Sequence, residues 1–431
     1  MANVVRLLRP DARLPRRQAR RLRVTMLALL AVAGPGMVSG FADNDAGGIT
    51  TYSIAGAQFG YALLWVLLAS QLALMVTQEA GARLGLATGH GLSGLIRERF
   101  GVRWALLAVL TMLIANLGDT VAEFAGIGAA LSLFGVPVWL SAALAAGAIV
   151  ALLSRGNYRR IQLLFLLIGI GVSVAYGVSA ILARPDWLEA GRSVVVPHLQ
   201  NGGGAYLLAV VGVVGTTITP WGQSFIQSYV VDKGLGPENL LGSRIDVTIG
   251  ALLTNVVAGF IVVACAATLW THGAVIIDAA DAARALGPLA GESAFVLFAI
   301  GLLAASFLGL GTVPLASAYT ATEAFGWEAG LDHRPSDARA FYGLLAFFVA
   351  FAALFVLVPN LPLVPVMFLS QVLDGIMLAP VLVFVMLLAR DERLMGSLRS
   401  GPVATTLGWA VTIAIGVMSL VLVVTALTGG A

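Results

Sequence analysis

The sequence of 431 residues contains one cysteine, Cys265, so internal disulfides and cysteine-based metal clusters are excluded. Charge is also scarce. Asp, Glu, Lys and Arg make up 11% of the chain, against about 25% in an ordinary soluble domain. Histidine is confined to His90, His198, His272 and His333, all between the long apolar runs. What abounds instead is apolar: 59% of residues are hydrophobic and the mean hydropathy is +0.94. No soluble core of this length needs so much apolar surface, so the chain is an integral membrane protein. The same numbers exclude disorder. A transmembrane barrel is disfavoured, because its strands are short and alternate apolar with polar residues, whereas the runs here are long and continuous.

A helix needs about 20 apolar residues to cross a bilayer. Eleven stretches qualify as predicted spans, near 24–58, 61–80, 103–133, 136–153, 161–183, 204–230, 246–271, 293–322, 340–358, 362–389 and 403–428. The first apolar run follows a basic segment and so resembles a signal peptide. Gly34-Pro35-Gly36 and the acidic cluster after it argue for a mature span. The 25 basic residues fall outside the spans, apart from fraying at the ends such as Arg103, and eight of them lie in the arm 1–23. With that arm inside, 22 lie on the cytoplasmic side; only Arg184, Arg192 and Arg284 lie opposite. This asymmetry predicts a plasma (inner) membrane protein with its N-terminus cytoplasmic and its C-terminus outside. The arm is a topology signal with affinity for anionic lipid. A nucleic-acid role, which the pI of 9.2 would allow, is disfavoured because the arm lacks interleaved aromatics. The expected partners are the bilayer and a small cation, with a monomer as the default form. Segments 24–428 read as a single transmembrane domain.

A short acidic set remains at predicted membrane depth: Asp43, Asp45, Asp119, Glu123 and Asp374. Glu79 lies at the inner end of the second span. Each ionisable group at the bilayer centre costs on the order of 2.5–3.5 kcal/mol by insertion scales. No base lies at the same depth, so the simplest partner is a cation from outside the chain. Individually, Asp119 and Asp374 are equally well explained as protonated groups or groups facing water.

Two spans contain helix-breaking clusters. The first reads Gly40-Phe41-Ala42-Asp43-Asn44-Asp45-Ala46-Gly47-Gly48, the sixth Gly215-Thr216-Thr217-Ile218-Thr219-Pro220-Trp221. Asp, Asn and paired Gly are poor helix residues, and Pro removes an N–H. Unwound backbone at membrane depth is tolerated where it lines a cavity. Corresponding breaks in two halves point to a transporter site built from inverted repeats. Five spans separate them, so they enter from opposite sides. The half-helices before each break are expected to aim their C-terminal carbonyls at the centre, favouring a cation. Pro kinks alone would explain the sixth span, though not both. The donors on offer near the breaks are oxygens, from Asp43, Asn44, Asp45, Thr216, Thr219 and Gln223, with no Cys, Met or His. Such a set suits Mg²⁺, Ca²⁺ or Mn²⁺.

On these residues the chain resembles the Nramp family of divalent-metal transporters over nearly its whole length. The carriers are 34–36 (GPG), 45–49 (DAGGI), 55–68 (AGAQFGYALLWVLL), 82–89 (ARLGLATG), 97–101 (RERFG), 122–126 (AEFAG), 370–372 (SQV) and 390–396 (RDERLMG). The run at 55–68 is the most specific. The resemblance implies an all-α, leucine-transporter-type 5+5 inverted repeat, with repeats near 24–183 and 204–389, an extra helix at 403–428, and helices 1 and 6 unwound. It also implies a metal site on Asp45, on the carbonyl of Thr216 and on Gln371. The family's metal-binding Asn maps to Gly48, and its Met to Thr219. The His after its helix-6 Pro maps to Trp221, and a second helix-6 His to Ile226. Of its helix-3 acid pair Glu123 is kept, and Thr120 replaces the other with Asp119 adjacent. Losing the thioether removes a soft ligand, and losing the Asn side chain is expected to widen the cavity. Both changes resemble the Nramp-related magnesium transporters.

The function expected is therefore alternating-access transport of Mg²⁺ and Mn²⁺ without proton coupling, the metal being substrate and no cofactor being needed. The alternative is a proton-coupled Mn²⁺/Fe²⁺ carrier of ordinary Nramp type. An intramembrane aspartic hydrolase is disfavoured because Asp43 and Asp45 share one segment. A carrier of organic anions is disfavoured by the acidic wall.

Overall fold

The computed structural model describes residues 35–154, 158–198, 203–328, 330 and 334–428. The basic arm and the start of the first predicted span lie outside the described residues. Within them the chain is all-helical. In chain order the helices are α1 (Pro35–Ala42), α2 (Ala46–Phe59), α3 (Leu64–Thr88), α4 (Leu92–Phe100), α5 (Val102–Ser132) and α6 (Val138–Ser154). Next come α7 (Tyr158–Leu182), α8 (Trp187–Val195), α9 (Gly203–Thr217), α10 (Pro220–Asp232), α11 (Leu240–Thr268) and the short α12 (Ala279–Ala283) and α13 (Gly287–Ala290). The set ends with α14 (Ala294–Phe325), α15 (Arg339–Phe355), α16 (Leu363–Arg390), α17 (Glu392–Met395) and α18 (Pro402–Leu427).

Six helical stretches are long and apolar enough to cross a membrane by length and composition: Val102–Ser132, Gly203–Asp232, Pro237–His272, Ala279–Phe325, Leu363–Arg390 and Pro402–Leu427. Shorter apolar helices occupy Val138–Leu152, Ser173–Leu182 and Arg339–Phe355. Large exposed apolar side chains such as Leu106, Leu107, Leu110 and Ile114 of α5 cover the outside, as a lipid-facing surface requires.

Helix α5 lies along both α14 and α16, and α11 supports α1, α2 and α3. Absent side chains set the tightest of these contacts. A Cβ on Gly40 would fall 2.6 Å from the carbonyl oxygen of Gly250, so α1 and α11 meet backbone to backbone. A Cβ on Gly215 would strike the Gln371 carbonyl oxygen and lie 2.5 Å from the Gly375 nitrogen, which joins α9 to α16 in the same way. Small residues are the usual means of close helix approach in membranes.

Helix α3 runs eight residues past the predicted end of the second span. Glu79, in its last part, pairs with Arg83 at 2.8 Å and Arg244 at 2.7 Å, so the polar residues near its end are compensated. Gly89, at φ +65°, then ends the helix, a conformation glycine adopts without strain.

Candidate metal site

Helix α1 stops at Ala42 and α2 starts at Ala46, leaving Asp43-Asn44-Asp45 non-helical. Likewise α9 stops at Thr217 and α10 starts at Pro220, leaving Ile218 and Thr219. The two interruptions are built alike. Asp45 is the N-cap of α2, its Oδ1 accepting from the Gly48 N–H at 2.7 Å. Thr219 is the N-cap of α10, its Oγ1 accepting from the Gly222 N–H at 3.1 Å, with Pro220 in the first turn where its missing N–H costs nothing. The helix starts after the breaks therefore take part as fully as the carbonyl ends before them. Asp45 thus also sits at the partial positive charge that heads α2, in addition to the carbonyl ends expected there.

The interruptions touch. The Thr219 hydroxyl donates to Asp43 Oδ1 at 3.3 Å, and Asp43 Oδ2 is buried with no partner. At Gly48 an added Cβ would lie 2.8 Å from the Asp43 carbonyl oxygen, 3.0 Å from Thr216 Oγ1 and 3.4 Å from Asp45 Oδ1. Three oxygens from both breaks thus converge where Gly48 lacks a side chain. The space left by the absent side chain is lined by oxygen. It is the Thr216 hydroxyl that reaches this point.

Gln371 of α16 closes one side. Its amide packs on Gly47, and its Nε2 donates to Asp119 Oδ1 and Ser370 Oγ, each at 3.0 Å. Asp119 in turn faces the Asp374 carboxyl, and Asp45 faces that of Glu123. Two facing carboxylates repel unless a proton or cation lies between them. Glu123 fits because Gly309 of α14 leaves room for its carboxyl. All five acids are almost completely buried, and no ion pair among the described residues reaches them.

The remaining predicted residues are placed differently. Asn44 is half-buried, and its amide approaches the Thr254 carbonyl of α11 at 3.5 Å, a weak contact. Gln223 is fully buried in the first turn of α10, with neither amide atom hydrogen-bonded. Among the described residues no group of three or more His, Cys, Asp or Glu side chains is arranged to chelate a metal. The acids are instead spread around the breaks in facing pairs. Two contributors escaped the sequence reading. Asp246 of α11 accepts from the Gly36 N–H at 2.6 Å and the Met37 N–H at 3.2 Å, capping α1. Tyr52 of α2 hydrogen-bonds Thr217 at 3.0 Å, tying one break to the other. An acid at the first position of the seventh span was the available signal for Asp246.

An all-helical, multi-pass membrane protein with two interrupted helices meeting at a buried oxygen-rich centre has the architecture of a secondary transporter. Residues 36–425 match the family model described as natural resistance-associated macrophage protein-like. The chain belongs to the Nramp family. It is 30% identical over 402 residues to a divalent metal cation transporter MntH of Deinococcus radiodurans, covering 90% of this chain and 88% of that one. It is 31% identical over 424 residues to a protein of the same name from Ralstonia nicotianae, covering 93% and 92%. The fold matches the crystal structure of a manganese transporter from Eremococcus coleocola with a TM-score of 0.75 at 20% identity, over 91% of this chain and 86% of that one. MhsT, solved with L-phenylalanine, shares the fold at a TM-score of 0.60 and 15% identity, over 91% and 98%.

Proposed function

We propose that the protein moves divalent metal cations across the membrane by alternating access, with the ion held between the two helix interruptions. The observation that carries this is the convergence of the Asp43 carbonyl, Thr216 Oγ1 and Asp45 Oδ1 on the space beside Gly48. Hard oxygens from both interruptions meet there, among acids that no base neutralises, and hard cations take such ligands. Asp45 is the principal ligand; Thr216, Thr219, Gln223 and Gln371 supply neutral oxygens; Asp43 and Glu123 supply charge. In this reading residues 24–183 and 204–389 form the two inverted repeats, 403–428 the extra one of eleven helices, and the N-terminus is cytoplasmic.

Mn²⁺ is the first substrate in this proposal, in keeping with the relatives named as divalent metal cation transporters and the neighbour titled a manganese transporter. Proton coupling belongs with it. Five buried acids lie around the breaks with no ion pair among the described residues, and acids so placed can trade a bound proton for a cation. One observation favours a second reading, Mg²⁺ transport without coupled protons. The position that a thioether fills in ordinary members is Thr219, already engaged with Asp43 and Gly222, and no soft donor lies at either break.

Proteoliposomes holding a metal indicator and a pH indicator test both readings together. Mn²⁺ uptake with acidification of the lumen supports the coupled carrier. Mg²⁺ uptake at a similar rate with a constant internal pH supports the second reading. Uptake of neither ion contradicts the proposal.

A further inference from the structure

Far from the interruptions, the start of α18 lies between two cavities. The first, of about 570 Å³, is lined by Glu79, Arg83, Arg244 and Thr248 together with Val403 and Leu407. The second, of about 470 Å³, is lined by Arg390, Arg399, Thr405 and Thr406. Both include Gly401 and Pro402, so they adjoin at the start of α18. Four arginines line the two cavities, with Glu79 the carboxylate among the lining residues and Glu392 pairing with Arg399.

The helix end between them offers donors of its own. Gly401 is the N-cap and supplies no side-chain acceptor. Pro402 has no N–H, so the N–H groups of Val403 and Ala404 head a 26-residue helix uncapped, at its positive end. A second feature is an incompletely satisfied arginine. Arg83 is 4% exposed and lines the first cavity. Its Nη2 serves Glu79 at 2.8 Å and Ser400 at 2.9 Å, yet its buried Nε has no acceptor. In the second cavity Arg399 is engaged by Glu392 at 3.2 Å, but that carboxylate is 81% exposed. Exposed pairs of this kind contribute little, so Arg399 is available to another anion.

Beside the charge lies an apolar strip. Val403 is 71% and Leu407 49% exposed, and both line the first cavity with Arg244. Free phosphate has no use for such a strip, whereas acyl chains do. This end of the bundle is also the basic one, which the positive-inside rule assigns to the cytoplasmic leaflet, where anionic lipid concentrates. We propose that this surface binds the phosphate headgroup of one anionic phospholipid, with its chains along Val403 and Leu407. The site is independent of the metal reading and stands or falls without it.

Native mass spectrometry of the full chain, released from detergent with equimolar phosphatidylglycerol and phosphatidylcholine, tests it. The wild type is expected to retain one phosphatidylglycerol about fivefold over phosphatidylcholine, some 1 kcal/mol. R390Q/R399Q is expected to bring the two lipids to parity, and an Arg334→Gln control, on another loop, to change nothing. Millimolar inorganic phosphate is expected not to displace the lipid. Equal retention of both lipids by the wild type, undiminished preference in a double variant that melts like the wild type, or displacement by inorganic phosphate would each overturn the proposal. Should the double variant fail to fold, the wild-type preference and the phosphate competition still decide.

Discussion

Thr219 and Asp43 lie 176 residues apart and hydrogen-bond at 3.3 Å, joining the two helix interruptions through their side chains. The same threonine hydroxyl caps α10. One oxygen thus serves helix start and neighbouring carboxyl at once, and any metal drawing on it competes with both roles.

That competition makes Thr219→Met informative. The substitution removes the cap, at a cost of about 1 kcal/mol, and places a thioether beside Asp43. Sulfur favours Mn²⁺ over Mg²⁺. The expected outcome is a modestly lower melting temperature and a rise of about tenfold in the ratio of Mn²⁺ to Mg²⁺ affinity, about 1.4 kcal/mol. Equilibrium binding to purified protein measures it, and an unchanged ratio would remove Thr219 from the site.

Gly48→Ala probes the convergence of oxygens. The new Cβ would lie 2.8 Å from the Asp43 carbonyl oxygen, so backbone or ligand must shift. Overpacking of this kind costs about 1–3 kcal/mol. Metal uptake should fall at least about tenfold while the protein remains folded by size-exclusion chromatography and thermal melt. Full uptake would mean that the space beside Gly48 holds no ion.

Gln371→Leu keeps the bulk over Gly47 and removes the donor to Asp119 Oδ1. A buried acceptor stripped of its partner costs about 1–3 kcal/mol. Uptake is expected to drop several-fold, and Gln371→Glu to drop it further by setting a third acid beside Asp119 and Asp374. Equal uptake by wild type and both variants would separate Gln371 from the pathway.

Asp246→Ala strips two N–H groups of α1 of their acceptor. Cap removal costs about 0.5–2 kcal/mol, so the melting temperature should fall by a few degrees. Because α1 leads directly into Asp43, slower uptake should accompany the shift. Unaltered melting would show that the cap contributes nothing to the fold.

Much of this centre is legible in the sequence. Charge is so sparse that Asp43, Asp45, Asp119, Glu123 and Asp374 stand out individually, and Gly, Asn and Pro mark both interruptions. Partner choice was not legible. Gln371 meets Asp119 across 252 positions, and Asp246 meets Gly36 across 210; such pairings arise from helix packing that no local pattern encodes. The cap roles of Asp45 and Thr219 were readable in principle, since Asp and Thr are favoured N-caps and Pro220 follows Thr219. Helix α3 continues beyond the predicted span because Arg83 and Arg244 pair with Glu79, and no local pattern encodes the partner Arg244.

The most direct test is metal uptake into proteoliposomes by Asp45→Ala beside wild type, at matched protein density and with an inward-negative potential. The ion's main charged ligand is then gone, while the break and its glycines remain. Uptake of Mn²⁺ and Mg²⁺ by the variant should fall to the level of protein-free vesicles. Uptake of either ion at the wild-type rate would contradict a metal site between the two helix interruptions.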